Sequence, residues 1–184
     1  MRDILLSNTI SNNWLTSAGG PLILLEKEFL SNWKGVFSND YNRACAISDY
    51  IGLINVGQGK GLIIGDEPFP TLWLPQNKQE GLLVCWNYAE NEEEVLKFCQ
   101  KIPEKIWKAT NLNLEVLKGP LILFDSAASG NDLLDSLSIG LIPGAYQIKT
   151  AIYEPNPLTS LIIHKISIKN SSYYFNILTK TYAC

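Results

Sequence analysis

Apolar residues in this 184-residue chain come in short runs, each closed by glycine, proline or a polar turn, and that punctuation limits what the chain can fold into. Such runs occur at 22–25, 51–56, 62–64, 72–74 and 82–88, and again at 114–117, 121–124, 138–142, 146–153, 158–168 and 173–182. Runs of this length between turn formers read as β-strands rather than helices. Lys169-Asn170-Ser171-Ser172 is a polar turn, so the last two runs are expected to form an antiparallel hairpin. One helix is well signalled. Asn91 can cap it, and Glu92, Glu93 and Glu94 fill the first turn, where the helix dipole favours negative charge. Val95, Phe98, Cys99 and Ile102 recur at helical spacing, and Pro103 stops the run, which predicts a helix over about 92–102. Residues 104–109 and 26–33 are weaker helix candidates, and 131–137 a helical turn. The fold class expected is α+β, mainly antiparallel β-sheet with one or two helices, in a single domain over 1–184.

The chain also echoes itself. Gly20-Pro21-Leu22-Ile23-Leu24 returns as Gly119-Pro120-Leu121-Ile122-Leu123, Ile51-Gly52-Leu53-Ile54 as Ile139-Gly140-Leu141-Ile142, and Glu67-Pro68 as Glu154-Pro155, in the same order. This predicts an internal repeat of 14–110 and 111–184. The two related β-rich halves would share a core, since neither is large enough to bury one alone.

Charge and composition narrow the function. The net charge is −3, and of 15 basic residues only Arg2 and Arg43 are arginine, the side chain best matched to phosphate; nucleic acid is not the expected partner. A single histidine, His164, rules out multi-histidine metal sites, and neither a metal nor a cofactor is expected. The N-terminal apolar run Ile4-Leu5-Leu6 is too short for a signal-peptide core and no window reaches the length of a membrane span, so a cytoplasmic protein away from membranes is expected. Cys45, Cys85, Cys99 and Cys184 match no zinc or thioredoxin spacing; the first three are expected as buried thiols and Cys184 as exposed.

No catalytic motif emerges. Gly57-Gln58-Gly59-Lys60-Gly61 fits neither a Walker loop nor a dinucleotide fingerprint and reads as a glycine turn between strands. His164 shares a strand face with Ile162, Ile166 and Ile168 and reads as a core or half-buried histidine. Arg43 lies between Asp40 and Asp49 and is expected to form a structural ion pair with one of them. Aromatic and acidic residues coincide best from Asp66 to Glu94, which makes Asp66, Glu67, Trp73, Trp86, Tyr88, Glu90 and Glu93 the candidate partner-binding set. Strand alternation puts Trp86 and Tyr88 on one face, both buried or both exposed; the exposed case is preferred, because residues 82–85 already supply core.

Several of these segments, taken in order, carry a resemblance. Trp14 through Leu24, Trp33-Lys34-Gly35, Asp40 through Cys45, Asp66-Glu67-Pro68, Thr71 through Pro75, and Leu82 through Ala89 resemble the immunity protein 21 family of bacterial polymorphic toxin systems. The likeness runs from about Trp14 to Glu154. Where that family leads one to expect a basic residue before Trp86, this chain has Cys85. The resemblance implies a cytoplasmic protein that binds and neutralises a cognate toxin domain and has no catalytic residues. The competing readings are a small hydrolase with a carboxylate site and a structural or regulatory protein-binding domain.

Overall fold

A computed structural model describes residues 14–65 and 69–169. These hold ten strands: β1 (Leu22–Glu26), β2 (Ile51–Val56), β3 (Gly59–Ile64), β4 (Thr71–Asn77), β5 (Glu80–Tyr88), β6 (Lys108–Val116), β7 (Leu121–Asp125), β8 (Leu137–Ile139), β9 (Gly144–Asn156) and β10 (Thr159–Ile168). Two α-helices, α1 (Asp40–Cys45) and α2 (Glu92–Cys99), and 3-10 turns at Lys27–Asn32, Gly35–Phe37 and Glu104–Ile106 complete them. The strands form two five-stranded sheets, ordered β2-β3-β1-β7-β8 and β4-β5-β10-β9-β6, and every pairing between these strands is antiparallel. The molecule is α+β and β-rich.

The two sheets pack face to face. Leu22, Leu24, Leu62, Leu121 and Leu123 of the first meet Leu83, Leu114, Tyr146, Ile148, Ile162 and Ile166 of the second in one buried cluster. Each sheet also buries part of its outer face. On the first, Ile23, Leu25, Ile63 and Phe124 pack under Trp33, Ala44 and Leu30. On the second, Leu82, Val84, Leu161 and Ile163 pack under Val95 and Cys99 of α2 together with Trp14, Trp86 and Trp107. Strands covered on both sides need apolar residues at successive positions, which is why β1 reads as an unbroken Leu-Ile-Leu-Leu run. Trp33 is fully buried, its indole Nε1 donating to the Ser126 carbonyl at 2.9 Å.

Glu26 ends β1 with a buried carboxylate. It accepts the backbone N–H groups of Leu117, Lys118 and Gly119 at 2.8–3.2 Å and so holds the turn between β6 and β7. A buried carboxylate is tolerated because these donors replace its water.

Several expectations change here. β10 is flanked by β5 on one side and β9 on the other; residues 173–182, the expected hairpin partner of 158–168, lie outside the described residues. The helix candidate over 104–109 is a single 3-10 turn, and the chain enters β6 at Lys108, six residues before the run that marked it in sequence. In place of an α-helix over 26–33 there is a 3-10 turn over Lys27–Asn32, entered from β1 at Glu26. Cys45 is exposed at the end of α1, whereas Cys85 and Cys99 are buried; Cys184 is outside the described residues. The glycine loop is the β2–β3 hairpin turn, where Gly57 takes a φ of +57° that a side chain would strain. The two Gly-Pro strands, β1 and β7, are adjacent partners at the middle of the first sheet. The Ile-Gly stretches lie at its opposite edges, but β3 separates β2 from β1 whereas β8 adjoins β7 directly. The strand order of the two stretches therefore differs at that element.

Candidate functional site

The aromatic and acidic stretch becomes a corner where β5 ends and α2 begins. Asn91 caps the helix by accepting the Glu94 N–H at 2.9 Å. Two of the helix carboxylates are engaged in structure. Glu92 accepts from the Trp14 indole at 2.9 Å, and Glu94 accepts from the Asn156 amide at 3.1 Å and the Glu90 backbone at 3.3 Å. Trp14 in turn meets Trp86 edge to face, with ring centroids 5.2 Å apart. Among the described residues no hydrogen bond or ion pair engages the carboxylates of Glu90 and Glu93, and both residues are exposed.

Trp86 and Tyr88 do not behave as a pair. The register slips between Leu161 and Ser160, so that Trp86 stands opposite Leu161, Tyr88 opposite Ser160, and Asn87 is an extra residue. A bulge of this kind breaks alternation. Trp86 is half-buried in the cluster under α2, and Tyr88 is 46% exposed. Neither of the two outcomes expected from simple alternation applies. Trp73 is separated from them: it pairs with Leu83 and packs against the cluster between the sheets, on the opposite face from Trp86. Its ring lies where a Cβ on Gly81 would stand, so the glycine is needed for this approach. Trp86, Tyr88 and Glu90 thus follow one another out of β5 into the start of α2, Glu93 lies on that helix with Leu96, Lys97 and Gln100, and Trp73 is set apart. Asp66 and Glu67 lie outside the described residues.

Arg43 pairs with Asp40 within α1 at 3.2 Å and also donates to the Asn55 carbonyl, tying the helix to β2. Asp40 accepts the Lys34 N–H at 2.8 Å as well. Asp49 takes no part in this arrangement. It is exposed and stands instead at a cavity of about 450 Å3, where β2 and β6, an edge strand of each sheet, leave the sandwich open. Tyr50, Lys108, Thr110, Thr150 and Ile152 also line this space. Behind Thr150 lies His164, whose Nδ1 is 2.9 Å from the Thr150 hydroxyl oxygen. A hydroxyl beside an imidazole is the raw material of an activated nucleophile. Full burial, however, lowers the His164 pKa to about 3, so the ring is a feeble base at neutral pH and the contact is a buried polar tie between β9 and β10. Burial likewise pushes the Cys85 thiol up to about 11 and the Cys99 thiol up to about 12, keeping both protonated and unreactive.

Sequence reasoning did not find this cavity. It arises because two strands far apart in the chain end their sheets on the same side, and no local pattern encodes that.

Among the described residues no helix is long and apolar enough to cross a membrane. A family model described as immunity protein 21 matches residues 13–159. No curated protein and no solved structure shows a significant match to the chain.

Proposed function

The chain belongs to the immunity protein 21 family, and from that membership we propose that it protects its cell by binding a cognate toxin domain, in the cytoplasm and without catalysis, through the corner formed by Trp86, Tyr88, Glu90 and Glu93. The observation that carries this choice of surface is the contrast within one acidic cluster. Glu92 and Glu94 are spent on capping and bracing, whereas Glu90 and Glu93 have no partner among the described residues, and Glu90 follows two residues after the exposed Tyr88. Binding energy concentrates in aromatic anchors ringed by polar groups, and carboxylates at the rim speed encounter with a basic partner. Trp86 supports this surface from below through its contact with Trp14. Asp66 and Glu67 belong to the proposal by their sequence alone; Trp73, on the other face of the sheet, does not.

The test is a double variant, Tyr88→Ala with Glu93→Lys, both at exposed positions. The expected result is an unchanged melting temperature and a toxin affinity weakened by about 2 kcal/mol or more, roughly 30-fold. Full affinity in the stable variant would move the interface elsewhere.

A further inference from the structure

The turn between β9 and β10 has two residues, Pro157 and Leu158, since Asn156 pairs with Thr159. Turn positions favour Gly, Pro, Asn, Asp and Ser, so Pro157 serves the bend and Leu158 contributes nothing to it. Leu158 is nevertheless 68% exposed, an aliphatic side chain held in water where a polar one would make the same turn. The tip is also held in shape. Asn156 accepts the Leu158 N–H on Oδ1 at 2.8 Å, and the proline ring fixes φ at the residue between them.

This hairpin is fastened to the corner where β5 runs into α2. Asn156 Nδ2 donates to Glu94 Oε1 at 3.1 Å, and Glu94 Oε2 accepts the Glu90 N–H at 3.3 Å. Two side chains therefore link the backbone of Leu158 to that of Glu90. A second hydrogen-bonded chain joins the hairpin to the end of β5: Asn87 Nδ2 donates to Ser160 Oγ, and the Ser160 hydroxyl donates to Glu154 Oε1, each at 3.3 Å. Tyr88, 46% exposed, lies in sequence between the two attachment points, Asn87 and Glu90, and pairs with Ser160, two residues past Leu158. An anchor on a fixed turn has little freedom left to lose when it docks, which is how preorganisation raises affinity. The charge of the joined segments is one-sided. Residues 86–94 and 154–160 hold five glutamates and no lysine or arginine, which suits a basic partner.

We infer that the turn between β9 and β10 is a second part of the toxin-binding surface, with Leu158 filling an apolar recess on a basic face of the toxin domain. This rests on the toxin-binding reading and extends it from β5 and α2 to the hairpin fastened to them.

Calorimetric binding of the purified cognate toxin domain tests it on the native chain and three variants: Leu158→Asn, Leu158→Met, and Tyr88→Ala with Glu93→Lys. Asparagine is a good turn residue, so Leu158→Asn is expected to melt as the native chain does. Its affinity is expected to fall about tenfold or more, while Leu158→Met, which keeps the apolar bulk, binds like the native chain. Full affinity in Leu158→Asn overturns the inference; a weakened Tyr88 and Glu93 variant in the same series then leaves the corner standing without the turn. An equal loss in Leu158→Asn and Leu158→Met assigns the effect to the turn backbone rather than to an apolar anchor, and also overturns it. A native chain that does not bind the toxin domain removes the toxin-binding reading, and this inference with it.

Discussion

His164 stands on the face of β10 that looks into the core, opposite Thr150 of β9, and its burial makes this fold sensitive to acid. An unfolded histidine takes up its proton near pH 6.5, but burial lowers the folded value to about 3. Between those pH values the unfolded chain binds the extra proton, so stability falls as pH falls. The arithmetic gives a loss of about 2 kcal/mol by pH 5. Melting of the native chain should therefore decline from pH 7 to pH 5 more steeply than that of His164→Asn, which keeps a polar side chain but cannot titrate. Equal slopes would contradict the account. His164 was legible as a core residue from the isoleucines on its strand face. Glu26 was not: a glutamate at the end of an apolar run carries no mark of the three backbone donors that a turn some ninety residues later brings to it.

At the level of elements, α2 holds the proposed interface in place, and its first turn depends on Asn91. Asn91→Ala should cost about 1 kcal/mol, read as a lower urea midpoint with an unchanged slope, since only the cap is lost. A neutral result would mean that Trp14 and Glu92 anchor the helix start without it. This helix was legible because cap, acidic first turn and apolar stripe agree locally. Most strands were legible for the same reason: Leu22–Glu26, Ile51–Val56 and Leu121–Asp125 fall where glycine and proline bracket apolar runs. What failed was long-range. Nothing in residues 158–168 reveals that β5 and β9 occupy both of that strand's edges, and nothing near Asn87 announces the bulge that separates Trp86 from Tyr88. The start of β6 was missed because Lys108, Ala109 and Asn111 are exposed positions with no apolar signal.

The whole molecule is two sheets with buried inner faces, covered on part of each outer side, and its buried thiols and histidine are all in their uncharged forms at neutral pH. Its corner of Tyr88, Glu90 and Glu93 was legible in sequence as a coincidence of aromatics and acids, but the removal of Trp73 from that set required the sheet. Protection by this protein, as proposed, comes from binding. The most direct measurement is a titration of the cognate toxin domain with the full chain, following calorimetric heat and toxin activity in parallel. The account predicts a saturable 1:1 complex, with toxin activity falling in proportion and vanishing at equivalence. Loss of toxin activity at far less than one equivalent would mean catalysis, and full toxin activity in the presence of excess folded protein would mean that it does not bind; either result would contradict the account.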